Sequence, residues 1–244
     1  MAARFLFVID APGSLKAYKD TTVAMMRAAQ KRGHQVSVSQ QEELFFLKSS
    51  VAARATRISL TDNDEDWYRA HEPVEQPLKD FDAILMRKDP PFDLEYVTST
   101  WLLSAAVREG ARVFNAPDAV RDHNEKLAIA EFARFTSPTL VSRETGRLQR
   151  FIDEHSDVVV KRLDMMGGEN VFRVRRDDPN RNVILETISL GGRRSVMAQK
   201  YIPEIKDGDK RVLLIDGKLV PHCLARIPKA GESRGNLAAG ARGV

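Results

Sequence analysis

The sequence predicts an α/β half followed by an α+β half, with a boundary near residues 120–125. Three observations carry this. The chain opens as strand, helix, strand: an apolar run at residues 5–9, helical composition at 21–31 closed by Gly33, then Val36 and Val38. Beyond Ser137-Pro138 the pattern changes to short strands separated by tight turns. The clearest of these is a hairpin in which Asp216-Gly217 joins the runs 210–215 and 218–227, a strong two-residue turn signal.

Residues 5–9 form a continuous apolar strand ending at Asp10, and a Pro12-Gly13 turn follows. The βαβ opening predicts a parallel sheet whose loops at the strands' carboxyl ends are available for binding. No GxGxxG follows the first strand, so the dinucleotide fingerprint is absent. Residues 51–60 alternate weakly, as a strand or an edge ribbon, and 62–66 are acidic and solvated. Residues 81–86 are a further buried strand, delivering Arg87, Lys88, Asp89, Pro90, Pro91 and Asp93 into its loop. Opposite charges beside a rigid diproline mark a binding loop, and Asp93 also suits a helix cap. A helix to Glu109 ends at Gly110, a strand follows at 112–114, and Pro117 opens another helix. The second half reads as a strand at 139–142, a helix through His155, a strand from Val158, a glycine loop and a strand at 171–174. A helix at 182–190, a strand at 195–202 and the hairpin complete it.

Bulk composition narrows the function classes. In 244 residues, 30% are charged and 43% hydrophobic, a globular composition with room for one large domain or two smaller ones. No apolar run approaches the ~20 residues of a membrane span, and the N-terminal run is too short for a signal peptide. A single cysteine, Cys223, excludes an internal disulfide and fits a reducing cytosol. The net charge is +4, and the cations thicken late, at Arg193-Arg194, Lys210-Arg211, Arg226, Lys229, Arg234 and Arg242. Positive charge near glycines suits a polyphosphate or carboxylate better than a duplex; a solvated basic face is the plain alternative.

Residues 158–168, Val-Val-Val-Lys-Arg-Leu-Asp-Met-Met-Gly-Gly, place a lysine between a buried strand and a glycine pair. A GxxxxGK[ST] loop carries its lysine within the loop and runs into a helix, so that reading fails. A loop lying over phosphates and an ordinary hairpin with a glycine turn both remain. Residues 228–244 are rich in small residues, with four glycines and three interspersed cations, and are expected to be mobile, as a lid or a disordered terminus.

Taken together, these stretches resemble bacterial glutathione synthetase, of the ATP-grasp superfamily. The resemblance rests on Met-Arg-Lys-Asp-Pro-Pro-Phe-Asp at 86–93, Asn-Glu-Lys-Leu at 124–127 and Met-Ala-Gln-Lys-Tyr-Ile-Pro at 197–203. Ile-Lys-Asp-Gly-Asp-Lys-Arg-Val at 205–212, Leu-Ala-Arg-Ile-Pro at 224–228 and the 234–240 lid, Arg-Gly-Asn-Leu-Ala-Ala-Gly, extend it in collinear order. It implies a Rossmann-like pre-ATP-grasp domain at 1–122 and an ATP-grasp lid subdomain at 123–203. The second ATP-grasp subdomain would begin at 204–244. It also implies ATP-dependent ligation of γ-glutamylcysteine and glycine through an acyl phosphate, in the cytoplasm, by a homotetramer that uses neither nucleic acid nor membrane. Lys126 and Lys161 are then expected at the nucleotide phosphates, under Gly167 and Gly168. Gln199, Tyr201 and Ile202 are expected at adenine and Asp209 at the ribose. The resemblance places Arg211, Arg226 and Arg234 at the transferred phosphoryl group, and Arg87 and Asn236 at substrate.

The departures from the family pattern are specific. Arg162 stands where the small loop usually has proline, Met165 and Ala241 where glycine is usual. Arg162 is expected to loosen the chain after Lys161, and Met165 to resist a positive φ. The Mg2+ ligands that the resemblance implies are expected beyond residue 244, so that no metal ligand is assigned here. The chain is on that reading an incomplete copy, expected to be unstable or inactive alone. Another ATP-grasp carboxylate–amine ligase, or an inactive nucleotide-binding module, are the alternative readings.

Overall fold

The structure is a computed structural model and describes residues 2–88, 91–232, 234–237 and 240–244. Asp89 and Pro90 of the expected diproline loop, and Ala238 and Ala239 of the expected lid, lie outside the described residues. The chain divides into two compact units, residues 1–124 and 125–244.

In the first unit, β1 (Arg4–Val8), α1 (Thr21–Lys31), β2 (Gln35–Ser39), β3 (Leu44–Leu47), β4 (Ser50–Leu60) and β5 (Tyr68–Pro77) precede β6 (Ala83–Met86). Then come α2 (Leu94–Arg108), β7 (Val113–Phe114) and α3 (Pro117–Asp122). The strand order is β3-β4-β2-β1-β6-β7, with β5 on the other edge of β4. β2, β1, β6 and β7 run parallel. The continuous apolar run of β1 has a simple cause. Leu6 and Val8 pack on one face of the sheet with Leu103 and Ala106 of α2, while Phe7 and Ile9 pack on the other with Val23 and Met26 of α1. Both helices are capped from sequence-visible positions. Asp20 accepts from the Thr22 and Val23 amides, and Asp93 from that of Tyr96.

One expectation needs correction. The sheet is not simply parallel, because β3, β4 and β5 form an antiparallel arm. β5 reads Tyr-Arg-Ala-His-Glu-Pro-Val-Glu-Gln-Pro, is mostly solvent-facing and contains two prolines, so it has no apolar alternation to announce it. Its position is set by the long partner β4, against which it pairs from Leu60↔Tyr68 to Ala52↔Pro77.

The second unit holds β8 (Thr139–Ser142), α4 (Thr145–His155), β9 (Asp157–Arg162), β10 (Val171–Arg175), α5 (Arg181–Ser189) and β11 (Val196–Lys200). These strands form an antiparallel sheet in the order β10-β9-β11-β8. Val158 and Val160 of β9 are fully buried against Leu148 and Ile152 of α4 and Leu185 and Ile188 of α5. After this sheet come β12 (Asp209–Arg211), β13 (Leu214–Ile215), β14 (Lys218–Leu219), β15 (Leu224–Ile227) and β16 (Arg242–Gly243). The Asp216-Gly217 turn closes the β13–β14 hairpin with Ile215 opposite Lys218, both turn residues at positive φ, as a type I′ turn requires. The last residues of the glycine-rich stretch form a strand. β16 pairs with β15, and Ala225 and Val244 exchange backbone hydrogen bonds.

Leu148 is the sharpest test of the second unit's core. Leu148→Ala is expected to destabilise it by about 2–5 kcal/mol, read as a lowered urea midpoint with the slope unchanged.

Candidate functional site: a cationic loop on the open face of a sheet

Strand alternation determines which side chains reach the site. On β9, Val158, Val160 and Arg162 point toward the helices, so Val159 and Lys161 point to the opposite face. The register carries that face across the sheet. Val171 and Met197 lie opposite Lys161; Arg173 and Gln199 lie opposite Val159; Thr139 lies opposite Gln199. Tyr201 continues the same face two residues beyond Gln199. Lys161, Gln199 and Tyr201 therefore share one face, although 40 positions separate the first and last in sequence.

Lys161 carries an unbalanced charge. Among the described residues no hydrogen bond or ion pair to its ammonium is found, and burial followed by the nearby Lys126 cation holds its pKa below the ordinary lysine value. Lys126 stands just before a 3-10 segment, Leu127–Phe135, that begins after the predicted junction. Its ammonium is 2.8 Å from the Glu125 carboxylate and also donates to the Met165 carbonyl of the glycine loop. Two cations thus converge on one loop.

The loop itself turns through Gly167, Gly168 and Asn170, all at positive φ. Met165 is not among the positive-φ residues, so the strain expected of it does not arise: the left-handed steps fall on its neighbours. Gly168 is needed for a second reason. A Cβ there would lie 2.9 Å from Asn236 Oδ1 and 3.4 Å from Arg234 Cδ. Arg234 donates to the Gly168 carbonyl at 3.2 Å and to Glu232 at 2.6 Å. Lys126, Lys161, Gly167, Gly168, Arg234 and Asn236 are accordingly brought together.

Asp209 and Arg226 face each other across β12 and β15, with Nε–Oδ1 2.7 Å and Nη2–Oδ2 2.6 Å. The fork fixes both side chains in a planar pair. A Cβ on Gly235 would lie 3.2 Å from Asp209 Oδ2, so this pair adjoins the Arg234–Asn236 segment. Arg211 shares the face of Asp209 by alternation and is exposed. The Gln199 amide donates to Thr139 Oγ1 at 2.9 Å, and Ile202 is 53% exposed. The Tyr201 ring lies beneath the Arg173 guanidinium at 3.7 Å, and Arg173 is itself forked onto Asp157. Arg173 was not singled out in the sequence. The signal is its register opposite Val159, which only the β9–β10 pairing reveals.

In the first unit, Arg87 follows β6 and donates to the hydroxyls of Thr22 at 3.1 Å and Thr21 at 3.2 Å, at the start of α1. Lys88 pairs with Asp10 at 2.6 Å. Arg87 and Lys88 thus stand at the carboxyl ends of β6 and β1, where a parallel sheet presents its binding loops.

Magnesium does not fit these residues. Among the described residues no group of three or more His, Cys, Asp or Glu side chains could hold a metal ion. Of the acids around the loop, Asp164, Asp209 and Glu232 are each forked or paired to an arginine.

The fold is that of the ATP-grasp ligases. The chain matches an ATP-grasp RimK domain protein from Sphaerobacter thermophilus with a TM-score of 0.61 at 21% identity, covering 92% of this chain and 73% of that one. Its two halves match the prokaryotic glutathione synthetase N-terminal domain over residues 3–121 and the ATP-grasp domain of the same enzymes over 125–244. The glutathione synthetase of Ralstonia nicotianae is 56% identical over 98% of this chain and 74% of its own length; that of Bordetella parapertussis is 55% identical over 98% and 77%. The chain belongs to the prokaryotic glutathione synthetase family.

The Lys161 charge has a measurable cost. It is fully present below the depressed pKa and fades as pH rises toward the ordinary 10.5, because over that window the unfolded chain binds more protons. Lys161→Met is expected to melt above the parent at pH 7 without ligand, the gap narrowing toward pH 10. A lower-melting variant, or a gap independent of pH, would contradict the assignment.

Proposed function

We propose that the chain joins γ-glutamylcysteine to glycine at the expense of ATP, giving glutathione, ADP and phosphate. The observation that carries this reading is the unbalanced Lys161 ammonium beside Lys126, under a loop whose Gly168 lets Arg234 and Asn236 approach its backbone closely. Family membership supplies the substrates and the use of ATP and Mg2+.

In the first step the cysteinyl carboxylate oxygen bonds to the γ-phosphorus as the bond to the β-phosphate oxygen breaks, releasing ADP. In the second, the glycine amine bonds to the acyl carbon, phosphate leaves with the C–O electron pair, and the amine gives up a proton. Phosphoryl transfer spreads negative charge over the equatorial oxygens, so fixed cations favour the transition state. Lys161 and Lys126 hold the phosphates in this reading, and Gly167 and Gly168 let backbone cover them. Arg211, Arg226 and Arg234 neutralise the transferred group, with Arg226 oriented by its fork to Asp209. The face that carries Gln199 and Tyr201, with Ile202 beyond it, takes the adenine, and Asp209 the ribose. Arg87 and Asn236 meet the peptide substrate. An acyl phosphate is labile to water, so the Arg234–Asn236 contact with Gly168 suits a cover over the reacting groups.

The organisation follows the same reading. We assign residues 1–122 to the pre-ATP-grasp domain, 123–203 to the lid subdomain with the small loop, and 204–244 to the second subdomain. Among the described residues no helix is long and apolar enough to cross a membrane. By family resemblance we place the enzyme in the cytoplasm as a homotetramer working without nucleic acid or membrane.

Isothermal titration of the chain with ATP and Mg2+ tests the site. Lys161→Met is expected to weaken binding about 10–100-fold, the loss of a charge-assisted phosphate contact of roughly 1.5–3 kcal/mol. Binding is expected to tighten with γ-glutamylcysteine and not with D-alanine. Absence of ATP binding by the parent, or tightening by D-alanine instead, would overturn the reading.

A further inference from the structure

The chemistry above leaves one ion pair at the loop without a role. Arg162 is the last residue of β9 and lies opposite Val196, so its side chain leaves the strand on the helix side, back to back with Lys161. Its guanidinium forks onto Asp164, with Nε–Oδ1 2.8 Å and Nη2–Oδ2 2.6 Å. Both side chains are largely covered, at 20% and 29% exposure, so the pair is shielded more than a surface salt bridge. Glu169, on the far limb of the loop, adds attraction to Arg162, and Arg194 adds attraction to Asp164.

The fork ties the residue just after Lys161 to the residue three after it, across Leu163. That closes a small ring of chain where the strand ends and the loop begins. A side-chain fork in this place restrains the peptide following Lys161, as a proline ring would by holding φ. Set against the expectation that Arg162 loosens the chain, this fork is a contact that a proline would lack. The restraint matters because the loop that begins after Arg162 carries the Met165 carbonyl to Lys126, beside Lys161. Lys161 itself is held by its ladder partners Val171 and Met197, so a rotation at Arg162 would move the loop that follows and carry the Met165 carbonyl away from Lys126.

We propose that Arg162, acting through Asp164, is a positioning residue that holds the glycine loop in place beside Lys161 for nucleotide phosphates. It is an ion-pair brace at the position where the family pattern has proline. This rests on the nucleotide reading above, and the experiment separates the two.

Hydrogen exchange of the full chain without nucleotide reads the brace directly. Arg162→Ala and Asp164→Asn are each expected to speed exchange of amides 163–168 about fivefold to tenfold, the worth of one partly covered charge-assisted pair, with the β9–β11 core amides unchanged. ATP affinity, measured by titration, should fall by a similar factor. Arg162→Pro, and the exchanged pair Arg162→Asp with Asp164→Arg, should return both readings toward the parent. Unchanged loop exchange in Arg162→Ala overturns the brace. Faster exchange with unchanged ATP affinity overturns its positioning role, as does failure of both restoring variants. If the parent does not bind ATP, the nucleotide reading falls, while the exchange comparison still decides whether the fork holds the loop.

Discussion

The second unit is built around one alternating strand. Its valines must be buried against α4 and α5, and the period of two then forces Lys161 to the opposite side. No other arrangement keeps Val158 and Val160 dry, since a slip of one residue would bury the ammonium and expose the valines. The cation is therefore held in place by hydrophobic burial on the far face of its own strand. Its depressed pKa records the cost of that placement, set by burial and then by Lys126.

Around this lysine three acids are engaged by arginines. Asp164 is held by Arg162, Asp209 by Arg226 and Glu232 by Arg234, in each case at about hydrogen-bond distance. The arginine holding Asp164 keeps that carboxyl below the usual carboxylate range, so the pairing survives well into mild acid. Such pairing orders the guanidinium groups more than it neutralises the site, because Lys161 stays unbalanced. An arrangement that is positive where the backbone turns back on itself through glycine suits a polyphosphate, whose oxygens can accept from ammonium and backbone together.

The first unit reaches a comparable result by other means. There the central strand β1 is buried on both faces, so its own side chains cannot serve a ligand; the charged residues instead leave at the strand ends. Arg87 and Lys88 emerge together after β6, and the hydroxyls of Thr21 and Thr22 and the carboxylate of Asp10 fix their directions.

The sequence by itself determined much of this. The unbroken apolar run of β1, the Asp20 and Asp93 caps, the Asp216-Gly217 turn and the lysine–glycine order of residues 161–168 are local signals whose physics acts within a few residues. The family motifs named the loop and its cations before any geometry was known. Tertiary structure decided what depends on partners distant in sequence. β5 exists because β4 offers a free edge, and Arg173 covers Tyr201 because β10 pairs with β9 in one register. Arg162 and Met165 show the division most plainly. Residue type said that Met165 would resist a positive φ, and the left-handed steps do fall on Gly167, Gly168 and Asn170; it could not say that Arg162 would find Asp164. Propensity concerns an isolated residue. Whether a guanidinium finds a carboxylate, or which residue of a turn takes the left-handed step, is settled only when the whole loop closes.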